Sequence, residues 1–220
     1  MKLPVQPNNG QPWTRDADDV RAMAVAVQAN LVQVRTAEAR KCGADAVPAE
    51  VNVPSPGAVL KFRDALIDHR LLSEYSIEEL HLRMREVWGQ YCLMRWLFSA
   101  NAAKEPTNFA SLPKDAELRC DSVIDVKLAE IEGLFWRLKF EQRRRHDDEY
   151  VRSPQFPADL KLAETIPATA FDEPASDASD AALVFAACEY AGMLATLRWT
   201  RDRRRVWGEP GLMEVGGRPF

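Results

Sequence analysis

The sequence predicts an all-α protein, a single-domain bundle of about five helices, several of them long, with a proline-rich crossover before the last. Three observations carry that expectation. Apolar residues recur at three- and four-residue spacing through most of the chain. Prolines and glycines gather in a few stretches between those periodic runs. No stretch of convincing length alternates apolar and polar residues as a half-buried strand does; residues 46–53, AVPAEVNV, come nearest, and prolines interrupt and follow them.

The first helix follows Thr14, a candidate N-cap, with Asp16, Asp18 and Asp19 placed where the helix dipole favours negative charge. Its apolar stripe is Val20, Met23, Val27, Leu31 and Val34, and Gly43 is its stop. Residues 22–34 carry no charge, and the small residues among them would let a neighbouring helix approach closely. The three prolines of residues 43–57 make a loop, after which a second helix is expected over about 58–72. Ser76 with Glu79 forms a capping box that opens a third helix, expected to run to about residue 103 on the core line Ile77, Met84, Trp88 and Cys92. A fourth helix is expected over about 114–147, on Ile124, Ile131, Leu134, Phe135 and Leu138. The irregular crossover, 151–176, is long enough to read as a wrapping arm or a mobile connection. The fifth helix is expected over about 177–206, on Val184, Phe185, Cys188, Gly192 and Ala195. Residues 1–13 form an irregular arm, 14–207 the bundle and 208–220 an irregular tail.

A chain of 220 residues with 46% hydrophobic content supports one sizeable core. Its net charge of -4 means that any nucleic-acid role must rest on a local patch. The N-terminus has no apolar core of a secretory signal, and no run of about eighteen apolar residues marks a membrane span. The four cysteines lie far apart with no CxxC pair, which argues against a zinc or redox motif; three fall in apolar helical patterns and read as core residues. A cytoplasmic location is the expectation, and no cofactor is implied.

Two arginine clusters are the candidate functional features. On the fourth helix Trp136, Phe140, Arg143 and Arg144 line up opposite the apolar stripe, giving an outer face both aromatic and basic. On the fifth, Arg198, Arg201 and Arg205 form a flank stripe with Arg204 beside it, while Trp199 turns inward. Such faces suit a protein interface or stacking and phosphate pairing. Both clusters also sit at helix C-terminal ends, where cations are favoured without any ligand, and the chain's own acids are available to pair with them. About six phosphate contacts would need both clusters in one groove, and therefore the two helix ends as neighbours.

The competing chemistry is a helical di-metal carboxylate site. Glu78 and His81 make a Glu-x-x-His pair, but the second pair such sites use is missing, and a core histidine explains His81 as well. No nucleophile–base arrangement or phosphate loop appears. The expected function is thus a non-enzymatic helical subunit or adaptor of a larger prokaryotic assembly. It would dock a protein partner or a second copy through the aromatic and arginine faces, and nucleic acid is a further candidate. The alternative is a ferritin-like di-metal enzyme.

Overall fold

The computed structural model describes residues 14–43, 66–67, 69–99 and 106–207. Among these the protein is all-α: α1 (Ala17–Lys41), α2 (His69–Glu74), α3 (Ile77–Phe98), α4 (Asp121–His146), α5 (Asp148–Val151), α6 (Phe156–Ala163) and α7 (Asp180–Arg201). A 3-10 turn spans Phe109–Ser111, and strands β1 (Thr169–Ala170) and β2 (Glu173–Pro174) form the one small hairpin among the described residues. The expected N-terminal arm, the C-terminal tail, most of the second helix expected at 58–72 and residues 100–105 lie outside the described residues.

Pairs of contacts fix the direction of each long helix. Glu38 meets His81 at 3.0 Å and Arg35 lies over the Trp88 ring, so α1 and α3 are antiparallel. His81 packs edge-on to Phe185 and Arg85 pairs with Glu189 at 3.8 Å, so α3 and α7 run the same way. Asp180 binds Arg145 at one end of the α4–α7 seam and Asp125 binds Arg201 at the other, so that pair is antiparallel. In chain order α1, α3, α4 and α7 therefore alternate in direction. α7 packs against both α3 and α4, and α1 packs on α3.

Local chemistry explains most of the boundaries. The Ser76–Glu79 capping box is present in full. α1 is capped by Asp16, which accepts from the Asp19 N–H, rather than by Thr14; the Thr14 hydroxyl is drawn away to Asp121 Oδ1 at 2.7 Å. The predicted α1 stripe is fully buried, and the burial extends round the helix from Met23 to Gln28. Buried Gln28 accepts from the Phe109 N–H and so ties down the 3-10 turn.

The core line predicted on α3 is displaced. Ile77, Met84, Trp88 and Cys92 are only partly buried, whereas Leu80, Val87, Tyr91, Met94 and Phe98 join the core cluster that α1 also enters, and Gly89, Gln90, Leu93 and Leu97 are also buried. The buried line sits roughly a quarter turn away from the predicted one at 100° per residue. Gly89 and Gln90 lie off that line and mark a further buried face, which a reading by hydrophobicity ranks outside the core. A Cβ on Gly89 would lie 2.9 Å from the Glu189 carbonyl carbon, and a Cβ on Gly192 would lie 2.9 Å from that of Glu86. The two helices cross backbone to backbone there. By length and composition α7 is apolar enough to cross a membrane, although it holds no unbroken apolar run of that length, and half of that window is buried in the bundle. Of the cysteines only Cys188 is buried; Cys92 is half-buried, Cys42 and Cys120 are exposed, and all four are free.

The crossover is a wrapping arm, not an irregular strand of chain. α5 and α6 fold back along α4, and the β1–β2 hairpin pairs Ala170 with Glu173 around a two-residue loop. Both loop residues, Phe171 (φ 52°) and Asp172 (φ 70°), are left-handed, the pattern a type I′ turn demands and for which Asn-Gly is preferred. The left-handed region costs a non-glycine residue about 1–2 kcal/mol. The Arg85 guanidinium sits 4.6 Å from the centroid of the Phe171 ring, a contact that returns about 0.5–1 kcal/mol at an exposed site.

Candidate functional site

The outer face predicted on α4 is closed by the chain's own crossover. Phe140 is only 4% exposed. It stacks on Trp136 at 5.6 Å and on Phe156 at 6.0 Å, and meets Tyr150 edge-on at 6.3 Å. The aromatic residues read as a docking face are therefore a second small core beneath α5 and α6, completed by Ala163. Tryptophan and phenylalanine four residues apart supply one wall; Tyr150 and Phe156 supply the other.

Arg144 is drawn into the same layer. Glu141, 2% exposed, accepts hydrogen bonds from Arg144 (Nε, 2.8 Å) and Arg137, and Arg137 Nε also donates to the Ala163 carbonyl at 2.9 Å. A buried carboxylate held between two guanidinium groups is satisfied internally and strongly resists loss of either partner. Arg137 and Glu141 were not anticipated, although their four-residue spacing is the signal of a helical ion pair.

Arg143 alone of that predicted set faces outward, at 57% side-chain exposure. Its Nε donates to Asp147 at 3.0 Å and its guanidinium lies 3.9 Å from the Tyr150 ring centroid. Tyr150 in turn donates to Asp159 at 2.6 Å, and burial together with that carboxylate pushes the phenol up to about 12. The Tyr150 N–H and Arg143 hold the Asp147 carboxyl below the usual carboxylate range. Arg143, Asp147 and Tyr150 line an open cleft of about 510 Å³ with Glu149, Ser153, Pro154 and Gln155. The Ser153 hydroxyl is buried there with no hydrogen-bond partner among the described residues.

The second cluster is clasped by carboxylates and by the start of the chain. Arg198 donates to Glu132 at 2.7 Å. Arg201 takes both Asp125 oxygens, at 2.6 and 3.0 Å, and also reaches Asp121 and the Thr14 hydroxyl; the Asp125 bonds raise its already high pKa. α7 ends at Arg201, with Asp202 in extended conformation, so Arg204 and Arg205 lie beyond the helix and not on its stripe. Arg204 pairs with Asp202, Arg203 donates to the Thr14 carbonyl at 2.8 Å, and Arg15 caps the end of α7 through the Trp199 and Arg203 carbonyls and the Arg205 carbonyl. Trp199 is inside as predicted, 3% exposed, between Arg15 and Trp207. Asp202, the partner of Arg204, is the C-cap of α7.

The antiparallel α4–α7 pair also separates the clusters. Asp125, which holds Arg201, and Arg143 are divided by about 27 Å of helix at 1.5 Å per residue. The common groove that a two-cluster nucleic-acid surface requires is not formed.

Among the described residues the di-metal alternative finds no ligand set. His81 turns to Glu38, not to a site with Glu78, and Glu130, Glu132 and Glu189 pair with Lys127, Arg198 and Arg85. Among the described residues no group of three or more His, Cys, Asp or Glu is placed to hold a metal. Comparison with protein-family models, with curated proteins and with solved structures finds no match.

Proposed function

We propose that this chain is a non-catalytic helical subunit or adaptor, working in the cytoplasm of a prokaryotic cell, that docks a protein partner at the cleft beside Arg143 and Tyr150. One observation carries the reading: of the eight aromatic and arginine side chains nominated by the sequence, Arg143 is the one that lines a cleft, held over a ring and turned to solvent. An arginine pre-positioned over tyrosine loses little side-chain freedom on binding, and both residue types are common interface anchors. The aromatic layer behind it gives the cleft a rigid back wall. Phe140 and Arg144 serve that wall, and the Arg198–Arg204 clasps serve the fold. The nucleic-acid form of the reading draws less support, because its arginines are largely neutralised by neighbours and lie at opposite ends of α4.

The test is co-purification of the tagged full-length chain from its native host, wild type against Arg143→Ala. A stoichiometric protein partner retained by the wild type and lost by the variant is the expected outcome. A partner retained equally by both, or monomer alone, refutes the reading.

A further inference from the structure

We infer that the tip of the β1–β2 hairpin is a second docking element, with Phe171 as an apolar anchor and Asp172, Glu173 and Asp177 as its acidic rim, for a protein partner that presents a basic surface around an apolar socket. The ring is 45% exposed although it is large and apolar. It is carried on a residue with φ 52°, where the chain could place asparagine or glycine at lower cost. Stacking by Arg85 and the covered half of the ring together do no more than roughly offset that strain, and nearly half of the ring is still left in water. Arg85 is itself fixed by Glu189, so the ring is pre-oriented rather than loose.

The charge around the ring selects the partner. Asp172, Glu173 and Asp177 are all exposed, while Asp180, the next acid along, is taken up by Arg145 and His146. A lysine- or arginine-bearing surface is complementary to that rim, and an acidic one is repelled. The inference stands on the hairpin's own geometry and does not depend on the Arg143 cleft.

The experiment measures binding of two fluorescein-labelled amphipathic helical peptides to the full chain, one built from leucine and lysine, the other from leucine and glutamate in the same pattern. The lysine peptide is expected to bind with an affinity that falls as salt rises, and the glutamate peptide is not. Phe171→Asn, which keeps a residue tolerant of the left-handed turn, should weaken lysine-peptide binding by about tenfold, the loss of one interface anchor, while leaving the melting temperature equal or higher. Asp172→Asn with Glu173→Gln should weaken it similarly. Arg143→Ala should leave it unchanged, which separates this surface from the cleft. Binding of neither peptide, equal binding of both, full binding by Phe171→Asn, or a lower melting temperature for that variant each overturns the inference.

Discussion

Gly89→Ala is the most discriminating change available in the fold. In a helix with free space an alanine for glycine exchange stabilises by about 1 kcal/mol. Here the added Cβ falls 2.9 Å from the Glu189 carbonyl carbon and closer still to its oxygen, where ordinary contact begins at 3.4 Å. The obstacle is helix backbone, which cannot rotate aside as a side chain can. α3 and α7 must part by roughly 1 Å, and a gap of that size forfeits up to about half of the dispersion attraction across the seam. The net loss expected is about 2–4 kcal/mol, at the upper end of overpacking costs, which lowers the melting temperature of a chain this size by about 5–12 °C. Gly192→Ala meets the Glu86 carbonyl in the same way and should behave alike.

Two controls sharpen the measurement. Gly133 on α4 has nothing nearer than Ile166 Cδ1 at 3.9 Å, so Gly133→Ala should stabilise by up to about 1 kcal/mol. The double variant of Gly89 and Gly192 should lose less than the sum of the singles, because helices already parted by one methyl admit the second. Urea unfolding and calorimetry read all four proteins. A Gly89→Ala protein as stable as the wild type, or one matching Gly133→Ala in sign, refutes the backbone-contact account of the α3–α7 seam.

Further changes test the other layers. Glu141→Gln should cost about 3 kcal/mol, since it leaves two guanidinium groups short of charge in a buried layer, and hydrogen exchange should show α6 loosening first. Asp180→Asn should flatten the acid side of the stability profile: the Arg145 hydrogen bond, with His146 beside it, holds this carboxyl below the usual range. Unfolded aspartate titrates near about 3.9, so the contribution is complete above that value and is lost as pH falls through the lower folded-state value. An identical profile for the variant would remove Asp180 from the account. Thiol labelling at neutral pH should reach exposed Cys42 and Cys120 at once and Cys188 only on unfolding. Burial pushes the Cys188 thiol up to about 11, whereas the Ser122 hydroxyl lowers that of Cys120.

Patterns confined to one helix were legible in the sequence. The α1 stripe, the Ser76–Glu79 box, the burial of Ile124, Ile131 and Leu138, and the inward Trp199 all follow from spacing alone. Contacts that depend on which helix becomes a neighbour were not. Arg198 finds Glu132, and Arg201 finds Asp125 and Asp121, across 66 to 80 residues of chain, and no local signal links them. Phe140 looked exposed because the residues covering it, Tyr150 and Phe156, lie in a segment whose prolines suggested irregular chain. Gly89 carried a signal that was passed over: a lone glycine inside a strong helical pattern usually has a packing reason. The hairpin was hidden because Phe171 and Asp172 occupy a turn whose usual residues are asparagine and glycine.

The arginines of residues 198–205 have a task that helix-end electrostatics alone does not describe. α7 offers its neighbours many alanines, at 186, 187 and 191 among the buried set, and an alanine-rich surface is smooth enough to slide. A slip of one turn moves a helix by about 5.4 Å. Arg145–Asp180, Arg198–Glu132 and Arg201–Asp125 span nearly the whole α4–α7 seam, so a slip breaks all three at once, whereas apolar contacts would re-form. On this argument the pairs set register more than they add stability, as none is fully withdrawn from water and solvent-screened ion pairs are individually weak. Arg198→Glu or Glu132→Arg alone should destabilise through like charges facing each other, and the two together should recover most of the loss. Failure of the double exchange to recover would mean that Arg198 acts through its packing and not through its charge, and the register argument would fall with it.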